Sequence, residues 1–120
     1  MANIQRLRRI ADQVQRELSD LLKNELRDPR VAMVTITGVE VSSDLSHAKV
    51  YYTTLVEGEA RADTAEGLRR AAGFLRTSLG RRLTVHATPE LHFIFDESVE
   101  RGSRLSRLID EAVSDKKTTD

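Results

Sequence analysis

Val34–Leu55, VTITGVEVSSDLSHAKVYYTTL, reads as two strands and the turn that joins them. Val34, Thr35, Ile36, Thr37, Val39 and Val41 form a β-branched run that suits a pleated, half-buried surface. Its apolar positions shift from even to odd across Gly38, the signature of a β-bulge. Ser42-Ser43-Asp44 supplies turn chemistry. From Ala48 to Leu55 the alternation resumes, with Ala48, Val50 and Tyr52 on one face and Lys49, Tyr51 and Thr53 on the other. The short connection makes the pair an antiparallel hairpin. Only one face of each strand is apolar, so other elements must cover that face and leave the opposite one to water.

Two helices flank the hairpin. Ile4 to about Arg27 places Ile4, Leu7, Ala11, Val14, Leu18, Leu21 and Leu22 on one side, and Asp28-Pro29 stops it. Arg9, Arg16, Lys23 and Arg27 line the opposite side, with Asp12 and Asp20 one turn either side of Arg16. Taken alone, that stripe is better explained by a solvated charged face than by a binding face. The second helix runs from about Thr64 to Leu83, capped by Asp63 or Thr64. At 100° per residue, Leu68, Ala72, Leu75, Leu79 and Leu83 share an apolar arc, while Arg69, Gly73, Arg76 and Gly80 share another. A glycine inside a helix costs about 1 kcal/mol relative to alanine, so Gly73 invites a geometric reason. Two stand open: a kink with bare backbone that an anion can approach, or close packing of another helix.

Leu91 to Phe95 predicts a third strand with Leu91, Phe93 and Phe95 inward, and all three phenylalanines are expected in the core. Ser103 caps a last helix presenting Leu105, Leu108, Ile109, Ala112 and Val113. The fold expected is α+β, order α-β-β-α(kinked)-β-α, a three-stranded sheet with its helices on one face. Residues 1–113 form the domain and 114–120 a disordered polar tail.

The net charge of zero conceals segregation. Residues 1–30 carry seven basic and five acidic side chains, and residues 61–82 carry six basic and two acidic, so both helical segments are positive and the remainder is negative. That pattern predicts one continuous basic surface from two segments distant in sequence. Cysteine is absent, which excludes disulfide and thiolate chemistry. The polar, basic start has no signal-peptide core and no apolar run approaches a membrane span, so a cytoplasmic protein is expected.

The chain resembles the ribosome-binding factor A family over about Ile4 to Ala112. The resemblance is carried by Asp28-Pro29-Arg30, Val34-Thr35-Ile36-Thr37-Gly38-Val39-Glu40-Val41-Ser42, Asp44-Leu45-Ser46-His47-Ala48-Lys49-Val50-Tyr51, Ala71-Ala72-Gly73-Phe74-Leu75-Arg76, and Pro89-Glu90-Leu91-His92-Phe93 leading to Asp96. It implies a type II KH-like RNA-binding domain in which Ala71-Ala72-Gly73 replaces the usual GXXG loop, leaving contact to the nucleic-acid backbone rather than four-nucleotide readout. It further implies partners, the immature small (30S) ribosomal subunit and its 16S rRNA, and a role in late maturation and 5′-end processing. A monomer in the free state, without cofactor, is expected.

The residues expected to face RNA are Arg9, Arg16, Lys23, Arg69, Arg70, Ala71, Gly73, Arg76, Gly80, Arg81 and Arg82. Guanidinium groups bind phosphate oxygens bidentately and hold their charge near neutral pH. Stacking aromatics are scarce, with Tyr51 alone among the tyrosines turned from the core, so shape and backbone recognition is expected. His47, His86 and His92 lack metal-type spacing, and no P-loop, GxGxxG or nucleophile elbow occurs, so neither a metal site nor catalysis is expected. The competing reading is a protein-interaction adaptor docking through the amphipathic first helix. Salt discriminates them: RNA binding weakens with a log–log slope of about −0.7 to −0.9 per phosphate contact, measurable by filter binding, whereas apolar docking barely responds.

Overall fold

The structure is a computed structural model and describes residues 4–85 and 87–98. Helix α1 spans Ile4–Asp20 and continues as a π turn, Leu21–Glu25. A 3-10 turn, Pro29–Val31, leads into β1 (Val34–Val41). Then follow β2 (His47–Thr54), α2 (Glu59–Gly80) and β3 (Glu90–Phe95). The sheet order is β1-β2-β3, antiparallel between β1 and β2 and parallel between β2 and β3. Both helices cover one face and share a single core with it. Val14 and Leu18 of α1, Ala48 and Val50 of β2, and Leu68, Leu75 and Leu79 of α2 are fully buried. The expected last helix from Ser103 and the tail 114–120 lie outside the described residues.

The bulge falls where the change of apolar phase predicts it. Ile36 pairs with Tyr52 and Gly38 with Tyr51, which leaves Thr37 without a strand partner. Its hydroxyl donates instead to Asp96 just beyond β3, at 2.6 Å, so the irregularity in one edge strand is tied to the end of the other. In the β1–β2 turn, Leu45 adopts φ 61°, an uncommon conformation for a branched side chain, and packs against the core. Asp44 holds the turn by accepting from the Ser42 and Ser46 hydroxyls and the Ser46 amide. Those bonds, led by Ser46, bring its carboxyl down to about 2.

The π turn explains how adjacent leucines both reach the core. The Leu26 amide donates to the Leu21 carbonyl oxygen at 2.9 Å, and the wider turn buries Leu21 and Leu22 together. Ile10, not assigned to the apolar side above, is buried, and Ile4 is exposed.

Helix α2 departs from expectation at both ends and in the middle. It begins five residues before Thr64, with Gly58 at the cap position. Neither Asp63 nor Thr64 caps it. Thr64 is instead buried, its hydroxyl donating to the Arg30 carbonyl oxygen at 2.8 Å. One turn on, Gly67 lets the Pro29–Val31 turn come close; a Cβ there would lie 3.1 Å from a Val31 methyl. That turn is rigid, since Asp28 accepts from both the amide and the guanidinium of Arg30. The helix then runs through Gly73 as one element without the expected break, and a Cβ on Gly73 would meet nothing within 4 Å. Among the described residues, no second helix packs there. Phe74 is half exposed rather than core. Because space is open and the backbone helical, Gly73→Ala should raise stability by about 0.5–1 kcal/mol, while Leu75→Ala should cost about 2–5 kcal/mol, both read from thermal or urea unfolding.

Candidate nucleic-acid interface

The sheet directs both helices outward on the same side, and three groups of cations line that surface. On α1, Arg9, Arg16 and Lys23 are exposed, and none makes a hydrogen bond or close ion pair among the described residues. Asp20, expected beside Arg16, is turned away to Arg82 and Asn24. The α1 stripe is therefore available charge.

On α2, Glu66 gathers Arg69 and Arg70, accepting from Arg69 at 2.6 and 2.9 Å and from Arg70 at 2.9 Å. These two guanidiniums bring the Glu66 carboxyl down to about 2. The arginine side chains nevertheless remain 71% and 67% exposed. An exposed pair of this kind is screened by water and adds little, so an incoming phosphate can take the place of Glu66. Arg76 leans the other way, donating to the Thr88 carbonyl oxygen from both Nε and Nη2. Arg81 is exposed and makes no hydrogen bond or ion pair among the described residues.

Three of the residues expected at the interface have other work. Arg82, just past α2, donates from Nη1 to Asp20 at 2.6 Å and to Glu17 at 3.1 Å, and its Nη2 stands 3.7 Å from Glu25. It joins the helices while its side chain stays partly exposed. The three carboxylates exceed its charge, so an acidic seam interrupts the continuous basic surface predicted from charge counts. Gly80 is held against Thr88, whose hydroxyl oxygen would lie 2.7 Å from a Cβ at that position. Its lack of a side chain makes room for Thr88. The Ala71 side chain is buried in the core. The seam was detectable in principle, since Glu17 and Asp20 lie three residues apart on one flank of α1.

The opposite face of the sheet carries a second constellation. Tyr51 on β2 reaches Glu40 on β1 at 3.4 Å, confirming that it turns from the core. At the start of the parallel pair, His47, Glu90 and His92 converge, although no spacing in the sequence announces them. His86 is outside the described residues. The Ser–Asp contacts at Ser42, Ser46 and Ser98 close turns around Asp44 and Asp96 and engage no base. Among the described residues, no helix is long and apolar enough to cross a membrane.

Fold and surface together define a small KH-like α+β domain whose helical side carries exposed cations. Residues 6–109 match the family model of ribosome-binding factor A, and the chain belongs to that family. It is 62% identical over 106 residues to the ribosome-binding factor A of Nitrosospira multiformis, covering 88% of this chain and 84% of that one. The solution NMR structure of a Thermotoga maritima protein, given as a candidate ribosome binding factor A, superposes with a TM-score of 0.69 at 36% identity, covering 82% and 93%. Coordinates of the Thermus thermophilus ribosome binding factor A, a homology model fitted into the cryo-EM map of a 30S–RbfA complex, give 0.60 at 30% identity, covering 72% and 91%.

The Arg82 contacts have a measurable signature. The guanidinium, and secondarily Asn24, holds the Asp20 carboxyl below its ordinary value of 3.8. A folded-state value lower than the unfolded one contributes stability at neutral pH, which fades as pH falls through the carboxylate range. Arg82→Ala should move the Asp20 titration upward in carboxyl-detected NMR and shrink the acid-dependent part of stability.

Proposed function

We propose that this protein binds the immature small (30S) ribosomal subunit in the cytoplasm through its helical side, contacts 16S rRNA and assists late maturation, including processing of the 5′ end. It acts as a monomer, by recognition of folded RNA and not by catalysis. The observation that carries this reading is the Arg9–Arg16–Lys23 row: three exposed cations that make no hydrogen bond or close ion pair among the described residues, on the helix face opposite the core. Arg69, Arg70, Arg76 and Arg81 extend it, with Gly73 as the open backbone position between them. Support from relatives is specific, since the Thermus thermophilus homologue is placed in a complex with the 30S subunit. A phosphate approaching this surface gains charge-assisted bonds and releases counterions, which rewards shape complementarity over base identity. The adaptor reading loses its docking face, because the apolar side of α1, from Ile10 to Leu22, is already occupied by the protein's own core.

Charge reversal of the row, Arg9→Glu with Arg16→Glu and Lys23→Glu, should weaken co-sedimentation with immature small subunits at least tenfold and reduce the salt slope by about 2 to 3. Circular dichroism should stay native. Normal co-sedimentation of this variant would assign the interface to another face.

A further inference from the structure

On the sheet face opposite the helices, three metal-competent side chains meet. His47 opens β2 and Glu90 opens β3, and the two are partners in the parallel register. His92 lies two residues along β3 and therefore on the same face as Glu90. His47 Nδ1 is 2.9 Å from His92 Nε2 and 3.7 Å from a Glu90 carboxylate oxygen. All three ligand atoms lie within 4.8 Å of one another.

We propose that His47, Glu90 and His92 form a binding site for a divalent transition-metal ion of the zinc type. Two imidazole nitrogens and one carboxylate oxygen are a donor set that zinc takes, with a fourth position left to water or an incoming anion. In tetrahedral coordination at ordinary zinc–ligand lengths, neighbouring donors stand about 3.3 Å apart. The 2.9 and 3.7 Å separations bracket that spacing, so small side-chain rotations suffice to seat an ion. The tertiary structure supplies what such a site needs beyond donors, a fixed backbone. The Ser42–Asp44–Ser46 turn immediately precedes His47, and the Glu90 amide donates to the Ser46 carbonyl oxygen at 2.8 Å. Without a metal, the two imidazoles meet through one N–H···N hydrogen bond; with it, the donating ring carries its proton on its other nitrogen instead, so that both facing nitrogens present a lone pair to the ion. Exposure of all three residues leaves the ion free to exchange. Lys49, next on the same face and in register with His92, is the one cation on β2 that opposes the charge, and its partner on β1 is Glu40. The ion would fasten the β2–β3 pair where it begins, on the side of the molecule away from the cationic row.

The test titrates zinc chloride into the untagged full chain against a chromophoric chelator. One ion per chain is expected, with thermal stability rising as zinc exceeds its dissociation constant. His47→Ala and His92→Ala should each weaken binding at least tenfold, and His86→Ala should not. In the wild-type protein, zinc should shift the imidazole NMR signals of His47 and His92 while sparing His86, a readout that needs no variant. Absence of saturable binding, or binding that survives loss of both His47 and His92, overturns the site. Ribosome association does not enter either result, so the site and the proposed function fail separately.

Discussion

One-sided burial of the three-stranded sheet governs this protein. Ala48, Val50 and Tyr52 turn inward on the central strand, and two helices must cover them because a sheet with one apolar face is unstable in water alone. Their polar sides are thereby forced outward together. The cationic surface is a consequence of core formation, and its charge faces solvent because the leucines cannot.

The junction of α2 with the Pro29–Val31 turn sets how α2 lies on this scaffold. Thr64 and Gly67 occupy helix positions that could have held larger apolar residues, yet one supplies a hydroxyl to the Arg30 carbonyl and the other supplies space. A buried carbonyl left without a donor is costly, so the hydroxyl does more there than a methyl would. Asp28-Pro29-Arg30 thus has a structural explanation that does not involve RNA. Its aspartate stiffens the turn that α2 packs against.

Electrostatics divide the arginines by environment rather than by residue type. Arg82 is committed to three carboxylates, Arg69 and Arg70 share Glu66 while staying exposed, and the Arg9–Arg16–Lys23 row makes no close ion pair among the described residues. This gradient sets the order in which the cations are available to an anion. The acidic seam lies between the row on α1 and the C-terminal end of α2.

Local pattern sufficed for much of this. Alternation revealed the strands, the phase change at Gly38 revealed the bulge, and helical periodicity separated Arg9, Arg16 and Lys23 from the core, because each signal depends only on neighbours along the chain. Other features depend on which distant segments meet, and no local period encodes that. Helix periodicity places Leu21 and Leu22 on the apolar side, but nothing in it announces the π turn that carries them. The contact of Gly80 with Thr88 and the tie that Arg82 makes to Asp20 and Glu17 are of this kind. His47, Glu90 and His92 are 45 residues apart at the extremes, and parallel pairing of β2 with β3 alone brings their donors together. Residue types and periodicities determined the elements and their polar faces; tertiary packing decided which charges stay free, since that is set by the partner each one meets.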